Sequence, residues 1–307
     1  MTEDARRTIA ARFGVAALNL LAPGLGLLRI ARLKPAIAFL PAPAAISLAL
    51  ITAYALLPGL GFAGWAMLML VLLAGIVAIF IGSIVLTWFG SRTKVAEMPW
   101  WSRWYGIVGA WILVSALGVA LTDVAKSHFR TFYIPSEAML PTLRVNDRLV
   151  ASMRRTSDLR RGDMILFAVG DATYIKRVAA LPGDRIAMQG GVVILNGQPV
   201  AQRVIGTERV TQSVFGNEAR RLVEQFPGEA TPHEIYDLGY SAGDNVEEQE
   251  VAPGHVFVLG DNRDMSADSR LSRAEFGVEQ LPVTDIRGRA LFYLWGPSDR
   301  MGEALNR

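Results

Sequence analysis

The chain has 307 residues, 51% of them hydrophobic, with no cysteine and a formal charge of +3. The missing cysteines exclude disulfides and zinc–thiolate sites. Nine Lys/Arg against three Asp/Glu fall in residues 1–122 and 22 against 25 in the remainder, so the basic excess belongs to the apolar part and no basic stripe points to nucleic acid. In chain order, the first apolar stretch, 13–28, lies between Arg12 and Arg29 and is broken by Pro23, Gly24 and Gly26. A short span and a re-entrant or interfacial segment are both open readings; a cleaved leader is disfavoured, because further apolar segments follow without a clean small-residue cleavage site.

Between Pro35 and Ser91 no residue is charged and none is histidine. A bilayer-spanning helix needs about 20 apolar residues, so this run has room for two spans. Pro58, Gly59 and Gly61 divide it into 36–57 and 62–89. A fourth apolar segment, 104–121, follows the polar stretch "SRTKVAEMPWWSR", and its neighbours Trp100, Trp101, Trp104 and Tyr105 suit an interfacial aromatic belt. Arg29, Arg32 and Lys34 cluster in one connection and Arg92, Lys94 and Arg103 in another. The positive-inside tendency then puts both loops in the cytoplasm and everything after Leu121 outside.

From Asp123 the pattern changes to short β-branched or aromatic runs separated by turn residues. "RLVASM", "DMILFAV", "TYIKRVAAL", "RIAMQGGVVILNGQPV", "HVFVLGDN" and "GRALFYLW" read as strands or hairpins, with Asn196-Gly197 as a tight turn. The expected fold is a multi-span helical membrane anchor, residues 1–122, followed by a mostly antiparallel β domain, residues 123–307. A more acidic, less patterned piece, 206–250, reads as an insertion or subdomain.

Three stretches of the β region are dense in groups that can do chemistry: "IPSEAMLPTLRVNDRL", "YIKRVAALPGD" and "GDNRDMSADSR". Strand alternation puts Tyr174, Lys176 and Val178 on one face, so Lys176 points inward and Arg177 to solvent. A buried lysine amine is kept neutral and can serve as a base; a surface lysine on a half-exposed strand fits the same local pattern. The third stretch alone is equally compatible with a solvated Asx-type turn. His128, His233 and His255 lie outside all three, and no His, Asp and Glu cluster has metal-ligand spacing.

In this order the three stretches resemble bacterial type I signal peptidases, membrane-bound serine endopeptidases that remove signal peptides from exported preproteins with a Ser–Lys dyad. The resemblance implies that Lys176 is the general base. It places the nucleophile at Ala138, which has no hydroxyl, and keeps the Ala138 backbone N–H as an oxyanion donor. Ser136 becomes a second oxyanion donor, Ser266 the residue that orients Lys176, and Asp268 with Arg270 a supporting ion pair. Met265 stands where many relatives carry Asn. The implied partners are the lipid bilayer and signal peptides with small side chains at the first and third positions before the cut. The implied location is the bacterial inner membrane with the β domain on the periplasmic side, and no cofactor or metal is expected. Ala138 leaves three accounts open: an inactivating change in an otherwise competent enzyme, a variant that attacks through Ser136, and a non-catalytic relative that binds signal peptides or membrane partners. A membrane-anchored β module without catalytic ancestry is a fourth, and it requires Lys176 to titrate like an exposed lysine.

Overall fold

The computed structural model describes residues 3–56, 61–92, 98–153, 158–210, 218–298 and 300–305. The chain divides into two compact units, residues 1–127 and 128–307.

The first unit is helical: α1 (Glu3–Ala17), α2 (Leu25–Arg29), α3 (Leu33–Phe39), α4 (Ala42–Leu56), α5 (Gly61–Gly90) and α6 (Trp104–His128). Two of these contain stretches long and apolar enough to cross a membrane, Ala66–Gly90 and Trp104–Val124. Segment 36–57, expected to span, and segment 13–28, open as a span or a re-entrant or interfacial segment, are both broken. Segment 13–28 ends its helix at Ala17, passes through a 3-10 turn at Leu18–Leu20, and restarts at Leu25 after Gly24, which adopts φ 98°. The buried Asn19 holds that break together. Its amide nitrogen donates to Thr87 Oγ1 of α5 at 2.9 Å and to the Ala16 carbonyl at 3.1 Å, and its oxygen accepts from the N–H groups of Gly24 and Gly26 at 2.9 and 3.2 Å. A Cβ on Gly26 would come within 2.4 Å of that amide nitrogen, so the close packing requires glycine.

Segment 36–57 divides at Leu40 and Pro41 into α3 and α4. Leu40 itself stays helical, at φ −56° and ψ −43°; the break follows from Pro41, which has no N–H to donate to the preceding turn and whose ring clashes with the carbonyl there. The 15-residue α4 is then only about 22 Å long at 1.5 Å per residue, against a hydrocarbon core of about 30 Å. The expected break at Pro58 and Gly59 lies outside the described residues. Leu25, Leu27, Leu28 and Ala36 pack with Ile107 of α6 into a small buried core, and Arg12 of α1 reaches the end of α5 by donating to the Trp88 carbonyl at 2.9 Å.

The second unit is a β fold of strands β1 (Phe129–Tyr133), β2 (Arg148–Ser152), β3 (Met164–Val169), β4 (Ala172–Ala180), β5 (Arg185–Gln189), β6 (Val192–Leu195), β7 (Gln198–Pro199), β8 (Ala201–Arg209), β9 (Glu218–Gln225), β10 (His233–Asp237), β11 (Val246–Glu250), β12 (His255–Leu259), β13 (Leu281–Pro282) and β14 (Ile286–Trp295). A seven-stranded antiparallel sheet runs β1-β2-β14-β3-β4-β12-β13. Smaller sheets run β11-β5-β6-β7 and β10-β9-β8. The Asn196-Gly197 turn forms as read, with φ 51° and 77° joining β6 to β7. The acidic piece 206–250 is patterned more strongly than its composition suggests. It contains the end of β8, all of β9 and β10, and β11, which returns to the edge of β5.

Strand β3 shows where the core sits. Ile165 and Phe167 face Val178, Val256 and Val258 on one side, while Met164 and Leu166 face Leu149, Ala290 and Tyr293 on the other. A third cluster packs β5 and β6 against Ala180, Phe257 and Leu259. The central strands therefore have no wet face, which reads in sequence as continuous rather than alternating hydrophobicity. Truncating the fully buried Phe167 to Ala is expected to cost about 3–5 kcal/mol. Chemical denaturation of the detergent-solubilised chain checks this; a loss below about 1 kcal/mol contradicts burial on both faces.

Candidate active site

Strand β4 carries Lys176 and Arg177 next to each other, and both are buried, at 3% and 4% exposed. Lys176 faces inward as expected. Arg177 does not point to solvent, because the opposite face of β4 is also covered. Its guanidinium forms a bidentate pair with Asp261, at 2.9 Å from Nε and 2.6 Å from the second contact, and donates to the Gly162 carbonyl at 2.8 Å. Burial disfavours the Asp261 carboxylate, but Arg177 beside it holds its pKa below the ordinary value.

Lys176 has no such bidentate partner. Burial pushes its amine down to about 8, although the Asp268 and Asp261 charges oppose the shift. The nearest aromatic is two residues back on the same face, with Lys176 Nζ 5.9 Å from the Tyr174 ring centroid.

Across from β4, strand β12 ends at Leu259, paired with Arg177, and runs straight into the third stretch. Here Gly260 is the point of closest approach. A Cβ at this position would lie 2.1 Å from Ser266 Oγ and 2.6 Å from the Ala138 carbonyl oxygen. Those two oxygens are therefore separated by no more than the sum of the two distances. The Gly260 N–H donates to Asp268 Oδ2 at 2.9 Å, and Asp268 pairs with Arg270 through Nε at 2.9 Å. Burial alone would raise the Asp268 carboxyl, but Arg270 keeps it below its ordinary value.

The loop around Ala138 is tied to the same turn. The N–H of Asn262 donates to the Ala138 carbonyl at 3.2 Å, and its side-chain amide donates to the Glu137 carbonyl at 3.1 Å. Met139 is buried, Ala138 half-buried and Ser136 exposed. Ser266 is buried, but its hydroxyl makes no hydrogen bond, so the expected bond to Lys176 is not formed. The hydroxyl is instead packed over the backbone at Gly260. Met265 lies with Leu140 in an apolar cluster built on Ala219, Tyr236 and Leu238.

Lys176, Asp268 and Arg270 thus share one electrostatic neighbourhood, and Gly260 links it to Ser266 and Ala138. Ser136 lies two residues from Ala138 on the solvent side. Sequence reasoning missed the clamp from Asn262, the Arg177–Asp261 pair and the role of Gly260. All three sit inside the quoted stretches, but their partners are distant in the chain. Among the described residues, no group of three or more His, Cys, Asp and Glu side chains is arranged to hold a metal ion.

Comparison with known proteins places this geometry. The family model described as signal peptidase, peptidase S26 matches residues 101–295. Signal peptidase I of Leptolyngbya laminosa is 34% identical over 203 residues, covering 62% of this chain and 78% of the relative. The probable signal peptidase I-2 of Synechocystis is 28% identical over 221 residues, 68% of this chain and 81% of the relative. A solved signal peptidase I from Enterococcus faecalis aligns at 20% identity over 43% of this chain and 97% of its own, with a TM-score of 0.24, too low to bear on the fold. The family match covers well over half of the sequence and contains every residue of the site described above, and on that match the chain belongs to the signal peptidase, peptidase S26 family.

Proposed function

We propose that this chain engages signal peptides of exported preproteins in a Ser/Lys-type endopeptidase site whose nucleophile position is occupied by Ala138. Membership of the family supports signal-peptide removal as the ancestral reaction. The observation that carries the reading onto this chain is the buried amine of Lys176, whose pKa of about 8 leaves a usable neutral fraction near physiological pH. It is also the last lysine in the sequence and the only one after Lys126, every other cation of the β unit being arginine or histidine.

With a hydroxyl at position 138, the neutral Lys176 amine accepts its proton as the oxygen attacks the scissile carbonyl. The backbone N–H of residue 138 and the Ser136 hydroxyl donate to the oxyanion. The lysine ammonium then returns the proton to the departing amine, and water repeats the sequence to release the acyl group. Asp268 and Arg270 fix the turn that carries Gly260 and Ser266. As written, the chain keeps the base and the backbone donor and lacks the attacking oxygen. In this reading the two long apolar helices anchor it in the bacterial inner membrane, with the β unit on the periplasmic side.

The chain as written should bind a preprotein with small residues before the cut and leave it intact. Ala138→Ser should restore cleavage by up to about 10⁶-fold, the scale of losing a triad-type nucleophile. Cleavage by the unaltered chain that disappears in Ser136→Ala would instead make Ser136 the nucleophile. Absence of cleavage in every variant would leave a binding or scaffolding role.

In the Ala138→Ser form, kcat/KM should rise with pH through about 8, because the base acts only when deprotonated. In the unaltered chain, amine-selective labelling of Lys176 followed by peptide mapping should show the same midpoint. A midpoint typical of a solvated lysine would overturn the base assignment and favour a non-catalytic β module.

Adding a side chain at Gly260 should be as damaging as losing the base. In Gly260→Ala the new methyl meets Ser266 and the Ala138 carbonyl, so kcat of the Ala138→Ser form should fall at least about 100-fold, the order of loss from misplacing a reacting group by an ångström. Activity within a few-fold of the parent would show that the turn can yield.

A further inference from the structure

The segment between the second and third stretches carries a set of buried ionised groups that the proposed reaction does not use. Glu224 of β9 is completely buried, pairs with Arg263 of the third stretch, and accepts from Gln202 at 2.6 Å. Arg263 in turn donates through Nε to the Gly260 carbonyl at 3.2 Å. His233, at the start of β10, lies between two carboxylates. Its Nδ1 is 2.9 Å from Glu229 Oε1, and its Nε2 is 3.4 Å from Glu224 Oε2, close enough for charge attraction but outside hydrogen-bond geometry. Its ring lies against Phe226, with centroids 5.2 Å apart. Glu229 also faces Arg177 at 3.9 Å, and Arg177 holds Asp261.

These groups form three cation positions, Arg177, Arg263 and His233, against three carboxylates, Glu224, Glu229 and Asp261. All six side chains are 7% exposed or less. The set is neutral only when His233 carries both ring protons. A deprotonated ring would leave a net negative charge in a site with little water to screen it.

We propose that His233 acts as an imidazolium positioning residue: its proton completes the balance that holds Glu224 against Arg263, and through the Arg263 contact to the Gly260 carbonyl it fixes Gly260, whose α-carbon packs beside the Ala138 carbonyl and the Ser266 hydroxyl. This rests on reading that turn as part of the reaction site, and it makes the β8–β10 sheet a support for the turn rather than an appendage. A second tether runs the same way, from the Tyr236 N–H to the Asp261 carbonyl at 2.8 Å.

The electrostatics agree in direction. Burial and the Arg177 charge push the imidazole pKa down, the Glu224 and Glu229 contacts and the Asp261 charge push it up, and it settles above the ordinary value. For a group raised in the folded state, the stabilisation is fully present below the unfolded imidazole pKa and is lost as pH rises through the folded one. The turn should therefore be held most firmly at acidic and neutral pH. His233 and Glu229, 6% and 7% exposed, lie at the wall of a cavity of about 460 Å³ whose other charged residues are Arg144, Arg160, Arg161, Arg177, Arg221 and Arg300 against Asp163, Glu208, Glu234 and Glu303.

The test uses the full chain as written, in detergent, with ¹⁵N-labelled histidine. The His233 ring nitrogens should report a doubly protonated ring at pH 6, with a midpoint above that of a free imidazole. Amide exchange of residues 260–266, corrected for its intrinsic pH dependence, should show several-fold loss of protection as pH rises through the His233 midpoint. In His233→Gln the protection should already be low at acidic pH, whereas in His233→Lys, which keeps the charge, it should stay high across the range. Unchanged protection of residues 165–167 separates loosening of the turn from unfolding. A neutral His233 at pH 6, or protection of the turn that ignores both the midpoint and the two substitutions, would overturn the proposal. Because none of these readouts involves cleavage, the result is independent of whether position 138 can support proteolysis.

Discussion

Two adjacent cations on a strand buried on both faces set the terms for the second unit. Lys176 and Arg177 project to opposite sides of β4, and neither side offers water. A guanidinium cannot give up its charge within reach of physiological pH, so Arg177 must be met by carboxylates, and Asp261 and Glu229 meet it. An ammonium can give up its charge, and Lys176, without a bidentate partner, is pushed toward the neutral form. The Lys-Arg dipeptide thus solves one burial problem in two ways. One solution ties the strand to the loop after β12, and the other leaves an amine with a lowered pKa next to it.

The geometry of that loop follows from how little space Gly260 takes. Backbone from the Ala138 loop, the Ser266 side chain and the Asp268 carboxylate converge on a residue with no side chain. Asn262 then fastens the loop with donations to two consecutive carbonyls. The contacts that hold position 138 are made by its backbone and by that of Glu137, so none of them depends on which side chain stands there.

Much of this was legible in the sequence, for reasons that also mark where legibility stops. Strands β2 to β7, β12 and β14 are legible because β-branched runs and turn residues are local signals, whereas β8 to β11 fall largely in the piece whose acidic composition hides its pattern. The inward face of Lys176 followed from alternation alone. Arg177 was misread because alternation says which residues share a face and not whether the other face is wet. The apolar stretches were found by composition, but their breaks are tertiary. Asn19 stops one by bonding to Thr87, 68 residues away, and Pro41 stops another inside a run that hydropathy treats as continuous. Glu224 and His233 carried no signal, since their partners lie in stretches far away in the chain and acidic composition suggested a solvated insertion. The Ser266–Lys176 bond was carried over from the family resemblance; here the serine hydroxyl rests on Gly260 instead.

The six ionised groups shared between β4, β9, β10 and the third stretch have one further consequence, in the temperature response. The hydration of charged groups becomes less favourable on heating, so the penalty for keeping such groups dry shrinks as temperature rises, while stabilisation from buried hydrocarbon levels off. A contact between the β8–β10 sheet and the turn after β12 made mainly of buried charge should therefore weaken less on warming than the purely apolar clusters around Phe167 and Phe257. In a heated molecule the junction around the site would be among the later parts to loosen, even though its components are, residue by residue, the most costly to bury.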